Sequence, residues 1–116
     1  YPYSSYEWKS LLEKLKQNFT VTVFDLLGMG FSDKPQNHIY SFSEHAEIVN
    51  SLLNHLKIQE THILSHDLGV SVVQELISLD KENRNNFKIL SSVFLNGGLF
   101  MDVYQPRLIQ KLLSQT

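Results

Sequence analysis

Five consecutive residues, Ser65-His66-Asp67-Leu68-Gly69, concentrate the chemistry this sequence can do. A β-branched and apolar segment, Thr61-His62-Ile63-Leu64, runs into them, and an apolar-periodic segment, Val70 to Leu79, runs out. Strand, abrupt turn and helix is the setting of a nucleophile elbow, where one side chain is held at the tip of a strained turn. The residues two before and two after the tip must be small, because backbone passes close by. With Asp67 at the tip, those flanks are Ser65 and Gly69. With Ser65 at the tip, the first flank is Ile63, which is too bulky. The candidate nucleophile is therefore a carboxylate and not a hydroxyl. A competing reading is a plain strand-to-helix loop in which Asp67 caps the helix, since Asp is a favoured N-cap. The five residues alone fit both.

Other reactive side chains form no second site. His45 and His55 are not at i, i+4 spacing, so they read as solvated histidines and no metal is expected. His62 and His66 are four apart, but on a strand and a turn that spacing does not bring them together. The absence of cysteine excludes a disulfide framework and a thiolate metal site. Gly28 and Gly30 lie in a loop with no third glycine, no Gly-Lys-Ser/Thr and no immediate helix, so phosphate binding fails and an Asp25-anchored turn is the better reading. No cofactor is expected. A net charge of −2 without a basic block makes nucleic acid a poor partner. No run approaches the roughly 18 apolar residues of a membrane span.

The elements that must hold Asp67 follow from periodicity. The 116 residues are 42% apolar and 19% charged, the balance of one globular domain. Trp8, Leu11, Leu12 and Leu15 share one helix face, with Ser5 as a cap and Trp8 as a core anchor. Phe19 to Phe24 is β-branched and aromatic throughout and predicts a strand. Ser41 and Glu44 predict a capping box for a helix with Val49, Leu52, Leu53 and Leu56 inward. The elbow helix turns Val72, Val73, Leu76 and Ile77 inward. Asp80 to Asn86 reads as a solvated loop, and Lys88 to Asn96 as another buried strand broken by Gly97-Gly98. Pro106 starts a last helix with Leu108, Ile109, Leu112 and Leu113 as its stripe. Alternation of this kind predicts an α/β fold with parallel strands and crossover helices on both faces. The elbow, the Gly28/Gly30 loop and the Asn96-Gly97-Gly98 turn should converge at the carboxyl ends of the strands.

Three stretches together resemble a known family: Tyr1-Pro2 with Ser4-Ser5-Tyr6-Glu7-Trp8, then Asp25-Leu26-Leu27-Gly28-Met29-Gly30-Phe31-Ser32-Asp33-Lys34-Pro35, then Ser65-His66-Asp67-Leu68-Gly69. Their order and spacing are similar to the α/β-hydrolase fold, in the branch of epoxide hydrolases and haloalkane dehalogenases. The resemblance covers essentially the whole chain, and the combination is specific. It implies that Asp67 is the nucleophile, and the backbone N–H of Leu68 one oxyanion donor. Tyr1-Pro2 is similar to the end of the family's His-Gly-x-Pro oxyanion loop, so Tyr1 would supply the second N–H. His66 matches the histidine that precedes the nucleophile, not the base. The implied reaction is attack of the carboxylate on an electrophilic carbon, then hydrolysis of the covalent ester. The implied substrate is a small apolar electrophile. A narrower likeness inside the branch, carried by Gln74-Glu75-Leu76 and by Asn96-Gly97-Gly98 through Gln110-Lys111-Leu112-Leu113, implies endoplasmic reticulum membrane association.

Two departures shape the expectation. Many relatives have Trp after the nucleophile to bind the leaving group, and Leu68 has no side-chain donor. That disfavours dehalogenation, leaves epoxide hydrolysis, and keeps open an alternative: a non-catalytic scaffold with this fold. None of the five histidines matches the family's base. The chain opens on Tyr1-Pro2 without an initiator Met and stops inside an apolar-periodic run. The expectation is the N-terminal, nucleophile-bearing part of a single α/β-hydrolase domain over residues 1–116, inactive by itself. In the family's sheet a further strand lies between Phe19–Phe24 and Thr61–Leu64, so the expected sheet is incomplete, with a slot between those segments.

Overall fold

The computed structural model describes residues 4–97. A 3₁₀ turn, Ser5–Trp8, leads into α1 (Lys9–Leu15). A long loop precedes α2 (Phe42–His55), which is followed by β1 (Glu60–His66), α3 (Leu68–Lys81) and β2 (Lys88–Leu95). β1 and β2 pair in parallel through the α3 crossover, from Glu60 opposite Lys88 to His66 opposite Leu95, with an irregularity between Thr61 and His62. The helix proposed after Pro106 and the residue Gly98 lie outside the described residues.

Local chemistry explains where the helices begin and end. Ser4, not Ser5, caps the first turn, accepting from the Tyr6 N–H at 3.4 Å. Ser41 caps α2 by accepting from the Glu44 N–H at 3.1 Å. The Glu44 carboxylate bonds the His38 ring at 2.9 Å, so the observed bonds supply the forward half of the expected capping box. Beyond α2, Lys57 takes φ 58°, and the N–H groups of Lys57 and Ile58 return to Asn54 and Leu53 at 3.0 and 2.9 Å. Beyond α3, Asn83 takes φ 55°, and Asn83 and Arg84 return to Asp80 and Leu79 at 3.0 and 2.8 Å. Both are left-handed closures that satisfy the last carbonyls of a helix.

The core lies where α2, α3 and the sheet meet. Ala46, Val49 and Leu53 of α2 pack with Val72 and Leu76 of α3 and with Phe87, and Leu26, Ile63 and Ile89 close over them. Leu56, expected inward, is half exposed at the end of α2. His45 corrects the reading of a solvated histidine: it is only 3% exposed. Its position four residues before Val49 keeps it on the inner face, with its ring stacked on Tyr40 at 6.1 Å. The Asp80–Asn86 connection is also more than a solvated loop. Asn50 donates to the Arg84 carbonyl at 3.2 Å and accepts from the Asn86 N–H at 2.9 Å, while Asn85 donates to the Leu76 carbonyl at 2.9 Å.

Two strand expectations change. Phe19–Phe24 keeps an alternation of exposure, with Val21 and Val23 half-buried and Thr20 and Thr22 exposed, yet it is not a strand of the sheet. Propensity extends a segment, but a strand needs a partner at about 4.8 Å to bond with. Among the described residues the sheet is β1 and β2 alone. β2, expected to be buried, leaves Leu90, Val93, Phe94 and Leu95 exposed by 37% to 50%. An apolar parallel strand is buried only where helices cover both faces.

Candidate active site

β1 delivers the chain to Asp67 and α3 takes it away. Asp67 adopts φ 50° and ψ −120°, a sparsely populated conformation for a residue with a side chain. Such a residue costs about 1–3 kcal/mol and persists only where its surroundings over-determine it. Here the Asp67 N–H donates to the Leu95 carbonyl at 3.0 Å, and the Asp67 carbonyl accepts from the Val70 N–H at 3.1 Å. Its side chain makes no capping bond to α3. The capping reading of Asp67 therefore gives way to the strained turn.

The flanks face each other across the turn: a Cβ at Gly69 would sit 3.8 Å from the Ser65 Cβ, an ordinary contact distance. Ser65 is buried, and its hydroxyl donates to the Val93 carbonyl of β2 at 3.2 Å. A Cβ at Gly97, just beyond β2, would collide with the Val70 side chain. The end of β2 is thus pressed against the first turn of α3. Leu68 opens that helix, so its N–H belongs to the first four, which have no intrahelical acceptor. Tyr1 lies outside the described residues.

The Gly28/Gly30 loop is the Asp25-anchored turn that the sequence suggests. The Asp25 carboxylate accepts from the N–H groups of Ser5 and Phe31, the latter at 2.9 Å. Those backbone bonds, Phe31 first, hold the Asp25 carboxyl below its ordinary 3.8. Gly30, at φ 48°, has no room for a Cβ because the Asp25 carboxyl fills that space. The Asp25 carbonyl accepts from the Ser32 hydroxyl at 2.6 Å, and Lys34 donates to the Gly30 carbonyl at 2.6 Å.

This loop reaches the elbow through the Ser5–Trp8 turn. Ser5 is bonded to Asp25, and two residues later Glu7 is bonded to His66, with both carboxylate oxygens 3.3 Å from Nδ1. Trp8 meets the His66 ring edge-on at 6.3 Å. Trp8 is half-buried and serves the elbow, not the main core. Sequence reasoning gave Glu7 no role, because its partner is 59 residues away and nothing local signals the pair.

The remaining histidines do not approach Asp67 through any observed bond. His38 pairs with Glu44, His62 bonds the Ser91 hydroxyl at 2.8 Å, and His55 is exposed at the end of α2. Burial pushes the His45 ring below its ordinary 6.5. Among the described residues no group of acidic, histidine or cysteine side chains could hold a metal ion. A shallow concavity of about 210 Å³ lies on the α2 and α3 seam, lined by Glu47, Asn50, Ser51, Leu79 and Arg84, none of them an elbow residue.

Strand, strained carboxylate and helix, with a parallel partner strand, define the class. The family model described as alpha/beta hydrolase fold matches residues 1–111, and the chain belongs to that family. It is 47% identical over 118 residues to the mesoderm-specific transcript homolog protein of Bos taurus and 48% identical over the same length to that of Mus musculus. Each alignment covers 98% of this chain and 35% of the relative, so the chain spans about a third of their length. Among solved structures it is similar to epoxide hydrolase CorEH without ligand. That match has a TM-score of 0.74 and 27% identity, covering 99% of this chain and 39% of the other.

Proposed function

We propose that Asp67 is the nucleophile of a hydrolase that opens small apolar epoxides through a covalent ester. The observation that carries this reading is the conformation of Asp67. A carboxylate held at φ 50° and ψ −120° between a strand and a helix, and not used as a cap, is a strained residue of the kind that clusters at active sites, which supports a reactive role. The likeness to epoxide hydrolases supports the substrate class.

In this reading an Asp67 carboxylate oxygen attacks a ring carbon of the epoxide. The carbon–oxygen bond of the ring breaks, and the released alkoxide takes a proton from solvent water to become a hydroxyl. Water then adds to the ester carbonyl, and the resulting oxyanion is held by the N–H groups of Leu68 and Tyr1. Collapse returns the carboxylate and frees a diol. In this reading the base that activates the water is a histidine outside these 116 residues. Leu68 offers no donor for a halide, so epoxides rank above haloalkanes.

Leu68 also favours a second reading, a non-catalytic scaffold that keeps the elbow as architecture. Incubating the full encoded chain with a panel of epoxides and mapping mass adducts separates the two. An ester on Asp67, lost in Asp67→Asn, is expected. An unmodified Asp67 and no diol formed across the panel would leave the scaffold.

A further inference from the structure

The Ser5–Trp8 turn grips one residue of the elbow from two sides. Glu7 presents both carboxylate oxygens to His66 Nδ1, and Trp8 sets its ring at 88° to the same imidazole. The Glu7 and His66 side chains are 27% and 22% exposed, so the contact is partly covered while open to solvent at its edge. A carboxylate facing Nδ1 requires that nitrogen to carry a proton, which fixes the tautomer. Ring plane and ring nitrogen are then both set by neighbouring residues of one turn. That turn is itself anchored, because the Ser5 N–H donates to Asp25, the residue that organises the Gly28/Gly30 loop.

His66 is the last residue of β1 and the one before Asp67. The strain at Asp67 persists only if the chain is held on both sides of it. After Asp67, the hold comes from α3 and from Gly97 against Val70. Before Asp67, the ladder fixes the His66 backbone, and the Ser5–Trp8 turn fixes its side chain.

We propose that Glu7 is a positioning residue for the elbow: by holding the His66 ring, it fixes the direction in which the Asp67 carboxylate leaves β1. This rests on the reading of Asp67 as nucleophile. The pair is not a charge relay, since Glu7 touches no reacting atom. Its contribution is placement, and a small misplacement of a reacting group is enough to slow a reaction strongly.

The test uses the full encoded chain, styrene oxide as probe, and mass spectrometry of the Asp67 ester over time. Trp8 is the single tryptophan of these 116 residues, so the part of the acrylamide-quenched fluorescence that Trp8→Phe removes reports the docked turn separately. Glu7→Ala is expected to slow ester formation at saturating epoxide about tenfold, with the half-saturating concentration unchanged. Glu7→Gln, whose amide oxygen still accepts from Nδ1, is expected to keep most of the rate. The quenching constant is expected to rise in Glu7→Ala and in His66→Ala, and no further in the double variant. Equal rates in wild type and Glu7→Ala would overturn the proposal, as would a Glu7→Gln as slow as Glu7→Ala. Absence of ester in the wild type removes the nucleophile reading and the positioning role together. Ester in the wild type with no response to Glu7 removes the positioning role alone.

Discussion

At the scale of single residues, Asp67 shows stability set against reactivity. Glycine has no steric objection to φ 50°, so Asp67→Gly should relieve most of the strain. The expected gain is about 1 kcal/mol in chemical denaturation, together with complete loss of any ester. Asp67→Asn keeps the side chain and the strain, so its stability should stay near that of the wild type. The two glycines near the elbow should respond oppositely. Gly97→Ala drives a methyl into Val70 and should cost about 1–3 kcal/mol. Gly69→Ala meets only Ser65 at 3.8 Å, and within a helix it should be neutral or stabilising by up to about 1 kcal/mol. At this scale the sequence was most legible where sterics decide. Ser65 and Gly69 pointed to the tip of the turn from their local pattern, and of the two the buried Ser65 is the flank with little room, since Gly69 would accept a methyl. Glu7 was illegible because its meaning depends on a residue that only folding brings near.

At the scale of elements, the ends of the helices were less readable than their faces. Val72, Val73 and Leu76 line the inner side of α3 as their spacing requires, because helical periodicity is a property of the segment alone. Both helix closures instead recruit residues that carry no glycine signal, Lys57 and Asn83. Lysine in a left-handed position is disfavoured, so Lys57→Gly should raise stability by about 0.5–1 kcal/mol in thermal or urea unfolding. Phe19–Phe24 marks the limit of propensity for strands. Its composition suits a strand, but pairing is a property of two segments, and no composition of one supplies the other.

At the scale of the whole molecule, two groups tie folding to acidity, and both signs point the same way. His45 is buried and held below its ordinary 6.5, first by burial. The unfolded chain takes up a proton there before the folded chain does, so this contribution is full above pH 6.5 and declines as pH falls below it. Asp25 is held below its ordinary 3.8, so its contribution is full above that value and is lost as pH falls through the lowered one. The expected profile is a stability that declines in two steps on acidification. His45→Gln should remove the upper step in pH-dependent denaturation while leaving the lower one. A profile flat between pH 7 and 5 would contradict the buried state of His45. The α/β alternation was legible at this scale from the order of the elements, whereas the extent of the sheet was not, because it depends on which strands find partners.

The bonds that hold Asp67 in place also bear on when the site forms. They reach far along the chain: Glu7 meets His66 across 59 residues, Ser5 meets Asp25 across 20, and Ser65 meets Val93 across 28. Closing such loops costs entropy before any contact rewards it, and contacts of this kind tend to form late. Helix α3 can begin to coil on its own, but the strained turn at its head has nothing to hold it until β2 has docked. The elbow is therefore a late arrival in folding. Substitutions there should change the unfolding rate and leave the folding rate nearly untouched, and a stopped-flow comparison of Asp67→Gly with wild type would show it.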